Sequence, residues 1–203
     1  EEATAGPYGS VLGAPAACTS LHPLDVLDSV GGVRVLLPLF AMLLDVNDLP
    51  ATCSLLEAAP AGPEPRCLPA ASVPELLESL LALLADVMYR QPRKQVEMAE
   101  CHGLQVVGAY LARLGAALTP QCVESLYVLL SHCEGHGELF AHGLQALFLE
   151  TPIWAVAAPA VQERVPERLL QLCLGGGPAQ RELQQPRALE QLMNGLRWCY
   201  PYT

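Results

Sequence analysis

The residues best suited to chemistry lie in "SHCEGHGELFAH", where His132, Cys133, His136 and His142 come close together along the chain. Imidazole and thiolate are zinc ligands, but zinc needs three or four of them converging on one tetrahedral point. Cys133 closes an apolar helical stripe, and the corner at Gly135–Gly137 separates it from the later histidines. The expectation is histidines at helix ends and no metal site. Cys101-His102 pairs a thiol with an imidazole, yet adjacent residues on a helix point apart, so no nucleophile is expected there. There is no phosphate-binding glycine loop, no G-x-S-x-G, no H-E-x-x-H and no dinucleotide fingerprint. Asp25 and Asp28 share a helix face at i, i+3 and read as solvated carboxylates. No catalytic residue and no cofactor is expected. Trp154 and Trp198 are the candidates for protein contact, because Trp is enriched where partners dock. As single large residues they suit a core equally well.

Charge narrows the partners. The chain carries 11 Lys+Arg against 21 Asp+Glu, a net charge of −10. Lys94 is the sole lysine, and the one basic cluster, "RQPRK" from Arg90 to Lys94, reads as a solvated helix junction. A chain so acidic repels phosphate backbones and anionic lipid. Proteins, rather than nucleic acid or a membrane surface, are the expected partners. The eight cysteines form no C-x-x-C pair. In a long, leucine-rich chain they read as reduced thiols in a cytosolic setting rather than a disulfide framework.

The elements that must hold these residues are helical. Apolar residues make up 52% but aromatics only 5%, so alanine and leucine, both good helix formers, carry the hydrophobicity. The densest run is "SVGGVRVLLPLFAMLLD". Its core, Val35 to Leu44, is bracketed by Arg34 and Asp45 and is too short for a span of roughly 18 or more apolar residues. Val33, Leu36, Leu37, Phe40, Leu43 and Leu44 follow helical spacing. Pro38 predicts a kink or a restart near Leu37, and so apolar a helix should be covered on several sides. Before it, Pro23 opens a short helix with Leu24, Leu27 and Val30 on one face, ended by Gly31-Gly32. Ser72-Val73-Pro74-Glu75 is a capping box for a helix lined by Leu76, Leu77, Leu80, Leu81, Leu84, Val87 and Met88. A pair of helices is expected around Gly103. Thr119-Pro120 starts another, with Cys122, Val123, Leu126, Leu129, Leu130 and Cys133 inward. Three more stripes follow in "GHGELFAHGLQALFLE", "APAVQERVPERLLQLCL" and "PRALEQLMNGLRWC". No strand alternation appears over residues 21–203.

Two segments fall outside that pattern. Residues 1–20 are rich in Gly, Ala, Pro and Ser and read as a linker or the tail of a preceding domain. Residues 50–71 hold a run of prolines and read as a long surface loop with one helical turn over Ser54–Ala59. The sequence starts at Glu1 without methionine and is read as part of a longer protein. "GGVRVLLPLF" has echoes in "HGLQVVGAYLARLG" and "HGLQALFLETP", with glycines at 32, 103 and 143. Units of about 40–47 residues are typical of armadillo and HEAT stacks. The fold expected is an all-α, armadillo/HEAT-like α-solenoid after an irregular N-terminal segment, each hairpin burying a face on the next. An irregular bundle is the alternative that periodicity leaves open.

"LHPLDVLDSVGGVRVLLPLF" and "FLETPIWAVAAPAVQERVPERLLQLCL" resemble the armadillo-like segment of neurobeachin and neurobeachin-like BEACH proteins, through Val30-Gly31-Gly32, Trp154, Pro159-Ala160 and Val161-Gln162. The lysine-poor, Ala/Pro-rich style is closer to the neurobeachin-like branch, and the insertion at 50–71 departs from the pattern. The resemblance implies a non-enzymatic scaffold and protein-interaction module of a large cytoplasmic protein, peripherally associated with endomembranes. Such proteins act in vesicle trafficking and in the biogenesis of secretory or lysosome-related granules. It also implies that residues 1–20 trail a concanavalin A-like domain, and that BEACH, PH-like and WD40 regions, further domains of the same chain, lie beyond Thr203. The competing reading is a generic armadillo/HEAT adaptor gripping an extended peptide in a concave groove. The asparagine ladder of that mode is missing, since Asn47 and Asn194 are the only asparagines.

Overall fold

The structure is a computed structural model that describes residues 23–48 and 73–199. The readings of residues 1–20, the Ser72 cap and the 50–71 loop lie outside these residues. Every regular element among the described residues is helical.

The first segment folds as α1 (Pro23–Ser29), a 3₁₀ turn (Gly32–Leu36) and α2 (Leu37–Asp48). The helix restarts at Leu37, one residue before Pro38, where the missing N–H of proline costs nothing. Gly31 and Gly32 turn the chain with φ of 120° and 73°, values that side chains other than glycine rarely adopt. Val33, Leu36, Phe40, Leu43 and Leu44 are buried as expected, but Val30, Val35, Leu39 and Met42 are exposed. The run is therefore covered on one side rather than several.

Next come α3 (Val73–Met88), α4 (Pro92–Glu100), α5 (Gly103–Arg113) and α6 (Pro120–His132). In α6 the Thr119 hydroxyl accepts from the Cys122 N–H at 3.3 Å, an N-cap with proline in the first turn. Its inward face is Cys122, Val123, Leu126, Leu129, Leu130 and Cys133, all buried. The remainder is α7 (Gly137–Gly143), a π turn (Leu144–Phe148), α8 (Thr151–Ala155), α9 (Pro159–Gly175), α10 (Gly177–Leu183) and α11 (Pro186–Cys199). The stripe expected over 135–150 is thus a broken element, and α10 is an added short helix.

Each helix packs on the one three places later. α3, α6 and α9 form one column, α2, α5, α8 and α11 a second, and α4, α7 and α10 a third that α1 joins by an ion pair. The repeating unit is three helices, the armadillo arrangement rather than the two-helix one. The units are α1–α3, α4–α6 and α7–α9, followed by α10 and α11. The glycine echoes mark equivalent places: Gly32 leads into α2, Gly103 opens α5, and Gly143 leads through the π turn to α8, all in one column.

A second repeat becomes visible once the column is known. "PELLESLLALL" in α3 and "PQCVESLYVLL" in α6 share Pro74/Pro120, Glu78/Glu124, Ser79/Ser125 and Leu80/Leu126. In α9, Pro159 and Glu163 keep the proline and the glutamate. The glutamates tie successive units. The Thr119 hydroxyl donates to the Glu78 carboxylate. Glu124 takes the Arg164 guanidinium at 2.7 Å and the Arg168 guanidinium at 2.5 Å. Between them, buried Gln95 donates to the carbonyls of Met88 and His132 at 3.2 and 2.8 Å, joining α3, α4 and α6.

Candidate functional site

The histidines grouped in sequence are dispersed in space. His132 Nδ1 donates to the Ala85 carbonyl at 2.9 Å, and its ring lies against Tyr89. His136 Nδ1 accepts from the Leu139 N–H at 3.2 Å and caps α7. His142 faces His102, ring centroids 6.3 Å apart. Cys133 is buried with no exposure, and burial pushes its thiol from an ordinary 9.0 up to about 12. Among the described residues no group of three or more potential ligands could hold a metal ion.

Cys101 and His102 do not share a helix. They form the corner between α4 and α5, with His102 at a φ of 51°. The Cys101 thiol points back to the Met98 carbonyl, 3.6 Å away.

Thiol exposure gives a test of this arrangement. Cys101 and Cys173 are half-buried, Cys122 and Cys133 buried, and all four are free. A maleimide at pH 7 is expected to modify Cys101 and Cys173 within minutes and to reach Cys122 and Cys133 only on unfolding, as mass spectrometry of tryptic peptides will read. The raised thiol pKa of Cys133 means that its contribution to stability is complete below pH 9 and is lost as the pH climbs towards 12, where the unfolded chain gains a thiolate that the folded chain resists. Labelling of Cys133 at pH 7 at the rate of Cys101 would contradict the packing.

The basic cluster is the solvated junction expected at Arg90 and Arg93, exposed at the junction of α3 and α4, but not at Lys94. Lys94 is 5% exposed; its ammonium pairs with Asp28 and lies 3.8 Å from Glu97. Arg34 lies 3.9 Å from Glu97 and 3.5 Å from Glu100. Asp28, read as a solvated carboxylate, is the partner that a buried cation requires, and the network fastens α1 and the 3₁₀ turn to α4. Sequence spacing shows only the i,i+3 pair of Lys94 and Glu97; Lys94 meets Asp28, and Arg34 meets Glu97 and Glu100, across the fold.

Trp154 is 6% exposed. Its indole N–H donates to the Phe148 carbonyl at 3.3 Å, and the two rings are tilted at 6.3 Å. The Gln162 amide donates to the carbonyls of Trp154, Ala155 and Ala157 at 3.1 to 3.3 Å, which closes the corner between α8 and α9. One edge of Trp154 forms the floor of a groove of about 720 Å³ between α8, α9 and α11, walled by Val165, Pro166, Leu169 and Leu192 and rimmed by Glu163 and Glu167. Trp198 belongs to α11, but its side chain lies outside the described residues. Leu83 on α3, Val128 on α6 and Leu170 on α9 stand exposed along one column. These three side chains leave apolar atoms in contact with solvent. No helix of the described residues is long and apolar enough to cross a membrane.

Comparison with known proteins agrees with this architecture. Residues 3–203 match the model described as the neurobeachin/BDCP, DUF4704 alpha solenoid region. The chain is 26% identical over 161 residues to the BEACH domain-containing protein lvsE of Dictyostelium discoideum, a match that covers 67% of the chain and 7% of that relative. No solved structure matches it.

Proposed function

The chain belongs to the neurobeachin/BDCP alpha solenoid family, and from that premise we propose that it is a non-enzymatic protein-interaction module of a BEACH-family scaffold. The scaffold acts in vesicle trafficking and in the biogenesis of secretory or lysosome-related granules, in the cytoplasm at the surface of endomembranes. The observation that carries this reading is the family match over nearly the whole chain, supported by a relative named for its BEACH domain. The relative is much longer than the matched stretch, which suits one part of a larger scaffold. The chemistry suits docking: the imidazoles of the described residues are engaged with backbone or with one another, while large apolar side chains stand in water along the α3–α6–α9 column. The net charge of −10 disfavours direct binding to anionic lipid, so membrane association comes through other parts of the protein or through partners.

The test replaces Leu83 and Val128 together by glutamate. These side chains are already exposed, so the circular dichroism spectrum and melting temperature should change little. In cells the variant is expected to lose a set of co-purifying proteins and to leave granule cargo mislocalised. A folded double variant with the same co-purifying proteins and normal granules would overturn the reading.

A further inference from the structure

Each third helix in the stack is covered by the next one in its column, and the contact includes the same glutamate. Glu78 of α3 meets Thr119 at the start of α6, and Glu124 of α6 meets Arg164 and Arg168 of α9. Glu163 holds the equivalent place on α9, four residues after the helix-opening proline. It forms no ion pair or side-chain hydrogen bond with any described residue, and it lines the groove instead. The fourth unit has its first two helices, α10 and α11, but no third among the described residues.

The faces beside the groove are apolar where an end of a stack should be polar. On α9, Pro166, Leu169, Leu170 and Leu174 follow helical spacing on the groove side; Leu170 and Leu174 are 59% and 79% exposed. On α11, Leu192 is half-buried and lines the groove beside Gln191 and Gly195. The groove therefore continues the α3–α6–α9 interface by one step.

We propose that this groove is the seat of a further helix of the same chain, the third helix of the fourth unit, following α11. The occupant is an amphipathic helix with an apolar stripe on Pro166, Leu169 and Leu192. An arginine or lysine in its first turns pairs with Glu163, as Arg164 and Arg168 of α9 pair with Glu124; Glu167 is already held by Arg164 at 2.9 Å. The proposal rests on the three-column geometry and is independent of the trafficking role, so either can fail alone.

Hydrogen exchange tests it, comparing the full-length protein that contains residues 1–203 with a chain ending at Thr203. Amides of residues 159–175 and 186–195 are expected to exchange at least tenfold more slowly in the full-length protein. Leu192→Glu should abolish that difference, and Glu163→Arg, at an exposed position that leaves the shorter chain unchanged, should reduce it severalfold. Equal exchange in the two lengths overturns the proposal. So does protection that is insensitive to both substitutions. Protection that rises with protein concentration, together with a solution mass of two chains, overturns it in favour of a second copy.

Discussion

Trp154→Ala is expected to remove about 3–5 kcal/mol of unfolding free energy, the range for truncating a buried Trp. Most of the effect is volume. The indole is 6% exposed and packs on Phe148, and neither α8, five residues long, nor the bonded corner at Gln162 can collapse into the space. A second part is polar. The Phe148 carbonyl, at the end of the π turn, loses the indole N–H that reaches it at 3.3 Å, and an orphaned buried acceptor costs about 1–3 kcal/mol. Trp154→Phe keeps most of the ring and loses the bond, so it should cost about 1–2 kcal/mol. Urea unfolding followed by circular dichroism, read at constant slope, separates the two variants. The comparison also decides what the tryptophan is for. A core residue loses partner binding only as the fold is lost. Unchanged stability with lost binding would make Trp154 a contact residue and would refute its place in the core.

Much of the fold could be read from local sequence. Thr119-Pro120 predict the first residue of α6, and the stripe behind them its inward face, because cap and periodicity are both local. Pro38 predicts the restart at Leu37 for the same reason. The two-turn helices are another matter. α8 and α10 offer too few residues to show a period, and they exist because neighbours in their columns cover them. The burial of Lys94 was invisible because its partner Asp28 lies on α1, in the preceding unit. The histidine cluster dispersed because the corner at Gly135–Gly137 sends each ring to a different neighbour. One signal was present and missed. The proline and Glu-Ser pair shared by α3 and α6 state the repeat more directly than the glycines, and Glu163 then points to the groove. It is hard to see without the column, since charged positions are normally set aside when a core is sought.

Gly108 carries the second large effect. Replacing a mid-helix glycine with alanine usually stabilises a protein by roughly 0.5–1 kcal/mol, because the unfolded chain loses freedom. Gly108 lies in the middle of α5 with ordinary helical geometry, so the local rule predicts a gain. The stack predicts the opposite. A Cβ at Gly108 would sit 2.5 Å from the Ala146 carbonyl oxygen, in the π turn that packs across α5. That neighbour is backbone, pinned by Leu144, Leu147 and Phe148, all buried, and it cannot swing aside as a side chain would. Overpacking of this kind costs about 1–3 kcal/mol, so Gly108→Ala should be a net loss of about 1–2 kcal/mol and Gly108→Val a loss beyond 3 kcal/mol. Gly135 is the control: it is exposed, nothing lies within 4 Å of an added Cβ, and alanine there should change stability by less than about 0.5 kcal/mol. The wide π turn and the missing side chain are two halves of one contact, which lets α5 and the π-turn–α8 segment, equivalent helices of successive units, approach closely enough for the column to continue. If Gly108→Ala raises the melting temperature, the two helices are further apart than this geometry requires, and the close seam between the second and third units is not what holds the stack together.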